Sequence, residues 1–477
     1  MPSRERLECD VLIIGAGAAG CLAALTLARE APGLTTVLID RARPSRSGSL
    51  ASGAERLDPD PARADFSPAD ADLAEPLFAE LEPTLELLRG LGLRIGEPLT
   101  GGGLRIHGEN LKGRLSRAVE STAVQVLSDY FVGGLLTTNE SRVCGALAFE
   151  VRQERFLELR SRAVLLATGA TSGLFGGGLL SNLGPHSPYN SGAALGLPVG
   201  ARLVHPGELY RPLVLADSRA PARCLLEFAA EVVDGAGKSL GTTEEAELNR
   251  LLATDPRGER GPYRVVLADD SPQALAELKR RYLEHHPAAV LRWAAQDCPR
   301  RSLELRRGAP ILDGGSTRAG LGIDGRRRTT APGLWAAGSC AGGLTGKGLL
   351  GRMAEGRLAA RVLADDLPDD PGPLDESSVD ALQDFIGAPL IRLTRVGSGI
   401  RPRDYTERLR RIMDDYAPDG PPSTPARSAA AAEALVELDA AAELLLAASH
   451  LELAEAALAR QRVELARALL SSSGSSR

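Results

Sequence analysis

The stretch from Cys9 to Arg41, CDVLIIGAGAAGCLAALTLAREAPGLTTVLIDR, restricts the fold more than any other part of this chain. It reads as a strand from Asp10 to Ile14, a tight turn GAGAAG from Gly15 to Gly20, a helix, and a second strand that ends in Asp40. Each glycine has a physical task. Gly15 makes the turn, Gly17 leaves the backbone bare where a pyrophosphate must approach, and Gly20 lets the helix lie close on the sheet. The helix start, with Ala18 and Ala19, offers free N–H groups and the positive end of its dipole to phosphates. Asp40, followed by Arg41, stands where a carboxylate accepts hydrogen bonds from an adenosine ribose. Glycine-rich turns are common, but here strand, turn, helix, strand and acid follow in order, which points to dinucleotide binding rather than a plain βαβ unit.

The 477 residues are enough for two or three domains. The net charge is −6, from 56 basic and 62 acidic residues, and no basic block accumulates, so nucleic acid is not an expected partner. Lysine occurs only at Lys112, Lys238, Lys279 and Lys347; arginine supplies the rest, a pattern that reads as coding bias. Six cysteines are scattered without a CxxC pair, which argues against an iron–sulfur or zinc site within the chain and suits reduced thiols in a cytosol. The apolar run from Val11 to Ile14 is too short to span a bilayer, and the N-terminus lacks a signal-peptide layout. A cytoplasmic protein without an integral membrane segment is expected.

Further along, a polar stretch after Asp40 reads as a long loop, and Leu73 to Leu91 has helical periodicity. GENLKGRLSRAVES reads as a helix leading to a strand at Val124 to Leu127. Phe131 to Leu136, Val143 to Val151 and Phe156 to Leu159 alternate as antiparallel strands, and RAVLLATGA reads as a separate strand buried on both faces. From Leu203 to about Arg318 charge and proline rise, as in an inserted domain, with a helix at Pro272 to Leu283. A strand pattern resumes in APGLWAAGSCAGG, a helix follows in RMAEGRLAARVLADDL, and two or more amphipathic helices fill Val379 to Leu470.

In this order the pieces resemble the flavoprotein family of succinate dehydrogenase, fumarate reductase, L-aspartate oxidase and adenylylsulfate reductase, over most of residues 8 to 366. Four stretches carry the likeness: GAGAAG with Asp40; ATGATSGLF, similar to the family's ATGG segment; YNSGAALGLPVGARLV, in the place of its TGDG segment; and APGLWAAGSCAGG followed by a glycine loop and a helix. The resemblance implies an α/β chain with a Rossmann-like two-part FAD-binding domain, residues 1–205 and 319–368. A capping domain at 206–318 would interrupt it, and a helical region at 369–470 and a disordered tail at 471–477 would follow. It also implies FAD contacts at Ala167, Thr168 and Gly169, at Gly338 and Ser339, at Gly348 and Leu349 in the loop and helix start that would face the flavin, and at Ser47 and Gly48 in the loop that would lie over it. Ser339 stands where the family usually has Glu or Asp.

Several departures qualify the expectation. Gly48 replaces the histidine that links flavin covalently in succinate dehydrogenases, so a non-covalent FAD is expected. Gly315 replaces a histidine and Leu349 an arginine of the dicarboxylate-reducing members, and the run from Arg460 to Glu464 replaces a Glu-Ser-Arg-Gly segment. Succinate and fumarate are therefore not expected substrates. Catalytic candidates are Arg250, with Arg257 nearby, and Lys347 and Arg352 flanking the flavin loop; a solvated surface charge is the alternative for each. Arg318 is a further cation that could point toward the flavin. None of the six histidines has ligand spacing, and Cys340 reads as a small buried thiol. The implied function is an FAD-dependent oxidoreductase subunit acting on a small substrate, with an iron–sulfur or ferredoxin-like electron partner. The alternative is a catalytically degenerate flavin-binding relay or assembly protein.

Overall fold

The computed structural model describes all residues except 1–3, 53, 55, 60–69, 99–102, 107–109, 154, 177–191, 219, 256–257, 286–288, 292, 294–302, 397, 419, 421–423 and 472–477. The expectations placed on His107, His186, Arg257, His286, the start of YNSGAALG and nearly all of the C-terminal tail lie outside the described residues. Two compact units are present. One comprises Met1–Phe175, Pro185–Leu209 and Ile311–Arg477, and the other Gly176–Gly184 and Tyr210–Pro310.

The α/β class is found in the first unit. Its sheet is centred on β1 (Arg4–Ile14), with β2 (Thr36–Ile39) on one side and β3 (Gln125–Leu127) beyond it, all parallel. On the other side β1 pairs in parallel with β6 (Phe156–Leu166). The far edge of β6 is shared. Its first half takes β5 (Val143–Glu150), which pairs in turn with β4 (Tyr130–Thr137), both antiparallel, and its last three residues take β7 (Leu334–Ala336) in parallel. Val11 to Ile14, Val37 to Ile39 and Ala163 to Leu166 are buried without interruption, as expected where both faces of a parallel sheet are covered.

Backbone bonds continue past these strands in a row: Gly15 N–H to Ile39 O at 2.9 Å, Ala167 N–H to Ile14 O at 2.8 Å, and Ala337 N–H to Leu166 O at 2.9 Å. The chain segments leaving β1, β6 and β7 are thus held side by side at the carboxyl edge of the sheet, where doubly wound folds place their ligands. One face of the sheet is covered by α1 (Ala18–Glu30), α2 (Leu111–Glu120) and α3 (Gly348–Asp365), whose apolar residues share one core with Val11, Ile13, Leu165 and Trp335. The hairpin β4–β5 and the start of β6 instead bury Phe131, Phe149 and Phe156 against α4 (Glu376–Val396) and α7 (His450–Ser471). Between those two helices run α5 (Pro402–Tyr416) and α6 (Pro425–Ala440).

Two local readings are corrected. Phe156 to Leu166 is one strand of 11 residues, not two. The polar residues in its middle do not break it, because Arg162 reaches Asp10 at 2.8 Å and the Pro368 carbonyl at 2.6 Å. The helical stretch near Leu73 is two helices, Ala71–Ala79 and Leu81–Gly90, parted at Glu80, a buried carboxylate that receives Arg357 at 3.2 Å.

The second unit has a four-stranded antiparallel sheet in the order Leu213–Leu215, Leu303–Arg307, Tyr263–Leu267, Ala229–Val233. Strands of three to five residues explain why no long apolar run was visible there. The helix Pro272–His285 supplies Tyr282, which meets Trp293 edge-on with ring centroids 4.7 Å apart in the core of this unit. The unit spans a shorter stretch than the inserted domain read from the sequence, and Arg318 belongs to the first unit.

In the first unit α1 and α3 touch through backbone: a Cβ at Gly356 would lie 2.2 Å from the Ala19 carbonyl oxygen. Gly356→Ala is therefore expected to destabilise the chain by about 1–3 kcal/mol through overpacking, read as a lower urea midpoint with an unchanged denaturant slope.

Candidate functional site

The GAGAAG turn is built by crowding on two sides and space on the third. Gly15 has φ +107°, and a Cβ there would lie 2.4 Å from the Ala167 carbonyl oxygen; at Gly20 it would lie 1.8 Å from the Gly15 oxygen. At Gly17 a Cβ would meet only the Ala167 oxygen, at 4.0 Å. The first two glycines therefore serve the turn itself, and the third keeps open the space above it. Gly17 is the N-cap of α1 and offers no side-chain acceptor. The first helical bond runs from Cys21 N–H to Gly17 O, and the N–H groups of Ala18, Ala19 and Gly20 meet no acceptor among the described residues. An uncapped helix start of this kind fits an anion.

Asp40 braces the same turn. Its carboxylate accepts the Ala16 N–H at 2.7 Å, the Ala42 N–H at 2.8 Å and the Ser47 hydroxyl at 2.6 Å. A carboxylate has about four lone-pair positions, so one remains for a further donor such as a ribose hydroxyl. Ser47 in turn sets Gly48, whose φ is +73° and whose Cβ would lie 3.1 Å from Gly17 Cα. Arg41 is drawn down by burial, against the charges of Asp40 and Glu455.

The other stretches singled out in the sequence arrive beside this turn. Ala167 contributes the carbonyl that crowds Gly15; Thr168 donates its hydroxyl to the Gly192 carbonyl at 2.7 Å, and Gly169 has φ +79°. Gly338, with φ +78°, comes so near the helix start that a Cβ would lie 3.0 Å from Ala19 Cβ. Residues more than 300 positions apart thus line one edge. At the start of α3, the Gly348 N–H reaches the Gly315 carbonyl at 3.3 Å, and the Asp58 carbonyl accepts from Leu350 at 2.6 Å and from Gly351 at 3.3 Å. Only Leu349 N–H meets no acceptor among the described residues. This helix start is largely satisfied by protein, unlike that of α1.

A buried ion cluster supports the Gly338 turn. Glu355 Oε2 accepts the Gly338 N–H at 2.8 Å and Lys347 Nζ at 2.7 Å; Arg327 Nε lies 3.4 Å from Oε1. Lys347 Nζ also donates to the carbonyls of Gly338 at 3.1 Å and Ala341 at 2.9 Å, which uses all three of its protons. Burial lowers the lysine's proton affinity, and Glu355 opposes the shift. The reading of Lys347 as a group that meets substrate is corrected: it is fully buried and holds backbone.

Arg352 lies in a second cluster. Its Nη2 donates to Asp313 Oδ2 at 3.0 Å and to the Ser316 hydroxyl at 3.0 Å, and Asp313 Oδ1 accepts the Gly315 N–H at 2.9 Å. A Cβ at Gly315 would lie 1.8 Å from Arg352 Nε, so the guanidinium fills the space that a side chain at 315 would take. The Asp313 carboxyl is nearly buried, which works against ionisation. The charge of Arg352, the Gly315 N–H and the hydroxyls of Ser316 and Ser339 outweigh this and hold it below its ordinary 3.8.

The remaining candidates do not join these clusters. Arg318 is held by Glu208, with its Nε at 3.1 Å. Arg250 is exposed in the second unit and paired with Glu247, its Nε at 2.9 Å. Arg460 donates to the Phe385 carbonyl at 2.8 Å and that of Ala442 at 3.1 Å, a structural use. Burial pushes the Cys340 thiol up, in keeping with a small core residue. Among the described residues no group of His, Cys, Asp and Glu could hold a metal ion, and no helix is long and apolar enough to cross a membrane.

Residues 10–149 match the family described as DAO, FAD dependent oxidoreductase. Over this stretch the chain is similar to an FAD dependent oxidoreductase domain. No curated protein matches the sequence. Among solved structures, adenylylsulfate reductase from the hyperthermophilic Archaeoglobus fulgidus is 23% identical with a TM-score of 0.86, covering 99% of this chain and 89% of its own. E. coli quinol fumarate reductase FrdA is 16% identical with a TM-score of 0.75, covering 97% and 88%. The Mycobacterium smegmatis Sdh1 complex is 18% identical with a TM-score of 0.73, covering 97% and 86%. At these identities the likeness shows a common fold, and the family match implies FAD as the group the fold is made to hold.

Three residues of the first unit escaped the sequence reading: Lys112, Asp313 and Glu355. Lys112 is 3% exposed and donates to the Ala16 carbonyl within the glycine turn. A signal for it was present. In a chain that writes almost every basic residue as arginine, two of the four lysines, Lys112 and Lys347, are buried where a guanidinium would need more donors satisfied. Asp313 and Glu355 carried no such mark.

The lowered Asp313 carboxyl makes stability depend on pH. Because its folded proton affinity is depressed, its contribution is present above its ordinary 3.8 and is lost as pH falls through the lower folded value. Asp313→Asn should lower the urea unfolding free energy at neutral pH by about 1–3 kcal/mol. The gap between variant and parent should narrow as the solution is acidified below 3.8.

Proposed function

We propose that this chain is an FAD-dependent oxidoreductase that holds FAD without a covalent link and moves electrons between a small substrate and an iron–sulfur or ferredoxin-like partner. The observation that carries the reading is the GAGAAG turn: an uncapped helix start, open space at Gly17 and one remaining acceptor position on Asp40. These features fit a dinucleotide. The pyrophosphate would be held by the N–H groups of Ala18, Ala19 and Gly20, and the adenosine ribose by Asp40, with Ser47 and Gly48 closing over the turn. Ala167, Thr168, Gly169, Gly338 and Ser339 would border the rest of the cofactor with backbone and small side chains, and Gly348 and Leu349 would offer the start of α3. Gly48 leaves no side chain at the position where a covalent link would form.

FAD supplies the hydride or two-electron chemistry when bound. The residues of this chain position and exclude. Glu355, Lys347 and Arg327 keep the Gly338 turn in one shape, and Asp313 aims Arg352 across Gly315. Arg352 is the candidate for meeting substrate, because its side chain is 22% exposed while Lys347 is enclosed. The spent donors on Lys347 also favour the second reading, a flavin-binding electron relay with little turnover of its own. Bleaching of the flavin by a small substrate separates the two.

Three outcomes follow. The purified protein should be yellow, and acid precipitation should release all its flavin as FAD; colour left on the chain contradicts the non-covalent reading. Gly17→Val should leave the apo-protein's thermal midpoint near that of the parent, since a Cβ there meets nothing closer than 4.0 Å. FAD affinity should nevertheless fall by on the order of a hundredfold or more, because the branched side chain fills the pyrophosphate's place. Fumarate and succinate should turn over more slowly than about one per second in a dye-coupled assay, as Gly315 and Leu349 offer them neither imidazole nor guanidinium.

A further inference from the structure

The glycine turn has a buried cation behind it. Lys112, at the second position of α2, is fixed by a helix whose N-cap, Asn110, accepts the Gly113 N–H at 2.7 Å. Its Nζ donates to the Ala16 carbonyl and lies 3.5 Å from Cys21 Sγ, which itself reaches the Ala16 carbonyl at 3.3 Å. Ala16 is thereby held from both sides, its N–H by Asp40 at 2.7 Å and its carbonyl by Lys112. The residue is 3% exposed and forms no ion pair with a carboxylate among the described residues. Asp40, held by Ala16, Ala42 and Ser47, and Glu120, which accepts the Ser116 hydroxyl at 2.9 Å, act through their charge on the neighbouring Cys21 but form no ion pair with the lysine. Cys21 gives no balancing charge either, because burial raises its thiol against the pull of Lys112.

A buried ammonium without a direct ion pair gains from a negative group that comes near. The turn that Lys112 touches is the one that offers its open N–H groups to an anion. We infer that Lys112 is a positioning residue for the pyrophosphate of the bound dinucleotide: it turns the Ala16 carbonyl away from the phosphates and supplies the charge that they complete. This rests on the proposal that FAD occupies the turn. The phosphates would bring further negative charge, so part of the cost of burying Lys112 is recovered on binding rather than on folding. Arginine does not serve here, because five N–H donors would face one carbonyl and one thiol.

The test uses apo-protein of the parent and of Lys112→Met and Lys112→Gln, with affinity measured by calorimetry for FAD, ADP and adenosine. Met removes both charge and donor; Gln keeps a donor for Ala16 without the charge. Both variants are expected to bind FAD and ADP at least about tenfold more weakly and adenosine unchanged, with apo thermal midpoints equal to or above that of the parent. Equal losses for ADP and adenosine would mean that the turn had collapsed, and would overturn the inference. Full affinity in Lys112→Gln would do the same, by assigning the effect to the hydrogen bond alone, as would two variants that fail to fold. A parent protein that binds no FAD would instead remove the underlying proposal, and is read in the first titration.

Discussion

Backbone crowding at the carboxyl edge of the parallel strands governs the rest of the molecule. The Ala167 carbonyl stands where a side chain at 15 would be, the Gly15 carbonyl where one at 20 would be, and the Ala19 carbonyl where one at 356 would be. Close approach of β1, β6, α1 and α3 therefore depends on positions with no side chain at all. Packing of this kind cannot be relaxed locally, since the opposing atoms are peptide groups fixed by the sheet and the helices. It leaves one opening, at Gly17, and puts the uncapped start of α1 beside it.

Where no side chain is tolerated, polar groups reach in from elsewhere to set the backbone. Asp40, Lys112 and Glu355 each come from a different element, and each binds a main-chain group of a glycine-rich turn: Ala16 N–H, Ala16 carbonyl and Gly338 N–H. Such groups are weak evidence for stability, because desolvation offsets most of the attraction between buried charges. Their effect is on shape. The Lys347–Glu355–Arg327 cluster ties the end of β7 to the first turns of α3, and the Asp313–Arg352 pair ties the segment before β7 to the same helix. Both ends of the β7 region are thus referred to one rigid element.

Much of this was legible in the sequence, for a definite reason. The alternation of apolar runs with glycines at fixed spacing is imposed by the dinucleotide fold itself, so Gly15, Gly17, Gly20 and Asp40 announce it, and the second stretch around Gly338 could be read the same way. The continuous strand through Ser161 and Arg162 was not legible, because the charge of Arg162 is met by partners at Asp10 and Pro368 far along the chain. The catalytic candidates were read from their place beside the glycine loop, and place does not reveal orientation. Lys347 and Arg352 look alike in sequence, yet one is enclosed by carbonyls and a carboxylate while the other keeps part of its surface. Gly315 looked like a lost side chain. In the structure it is the clearance that the guanidinium of Arg352 needs.

The central claim is that the turn from Gly15 to Gly20 is a pyrophosphate cradle for FAD. A crystal structure of the protein after saturation with FAD tests it most directly. The account predicts phosphate density over Gly17 within hydrogen-bond distance of the Ala18, Ala19 and Gly20 N–H groups, with the adenosine ribose on Asp40. A flavin bound elsewhere, or a turn still empty at saturating FAD, would contradict it.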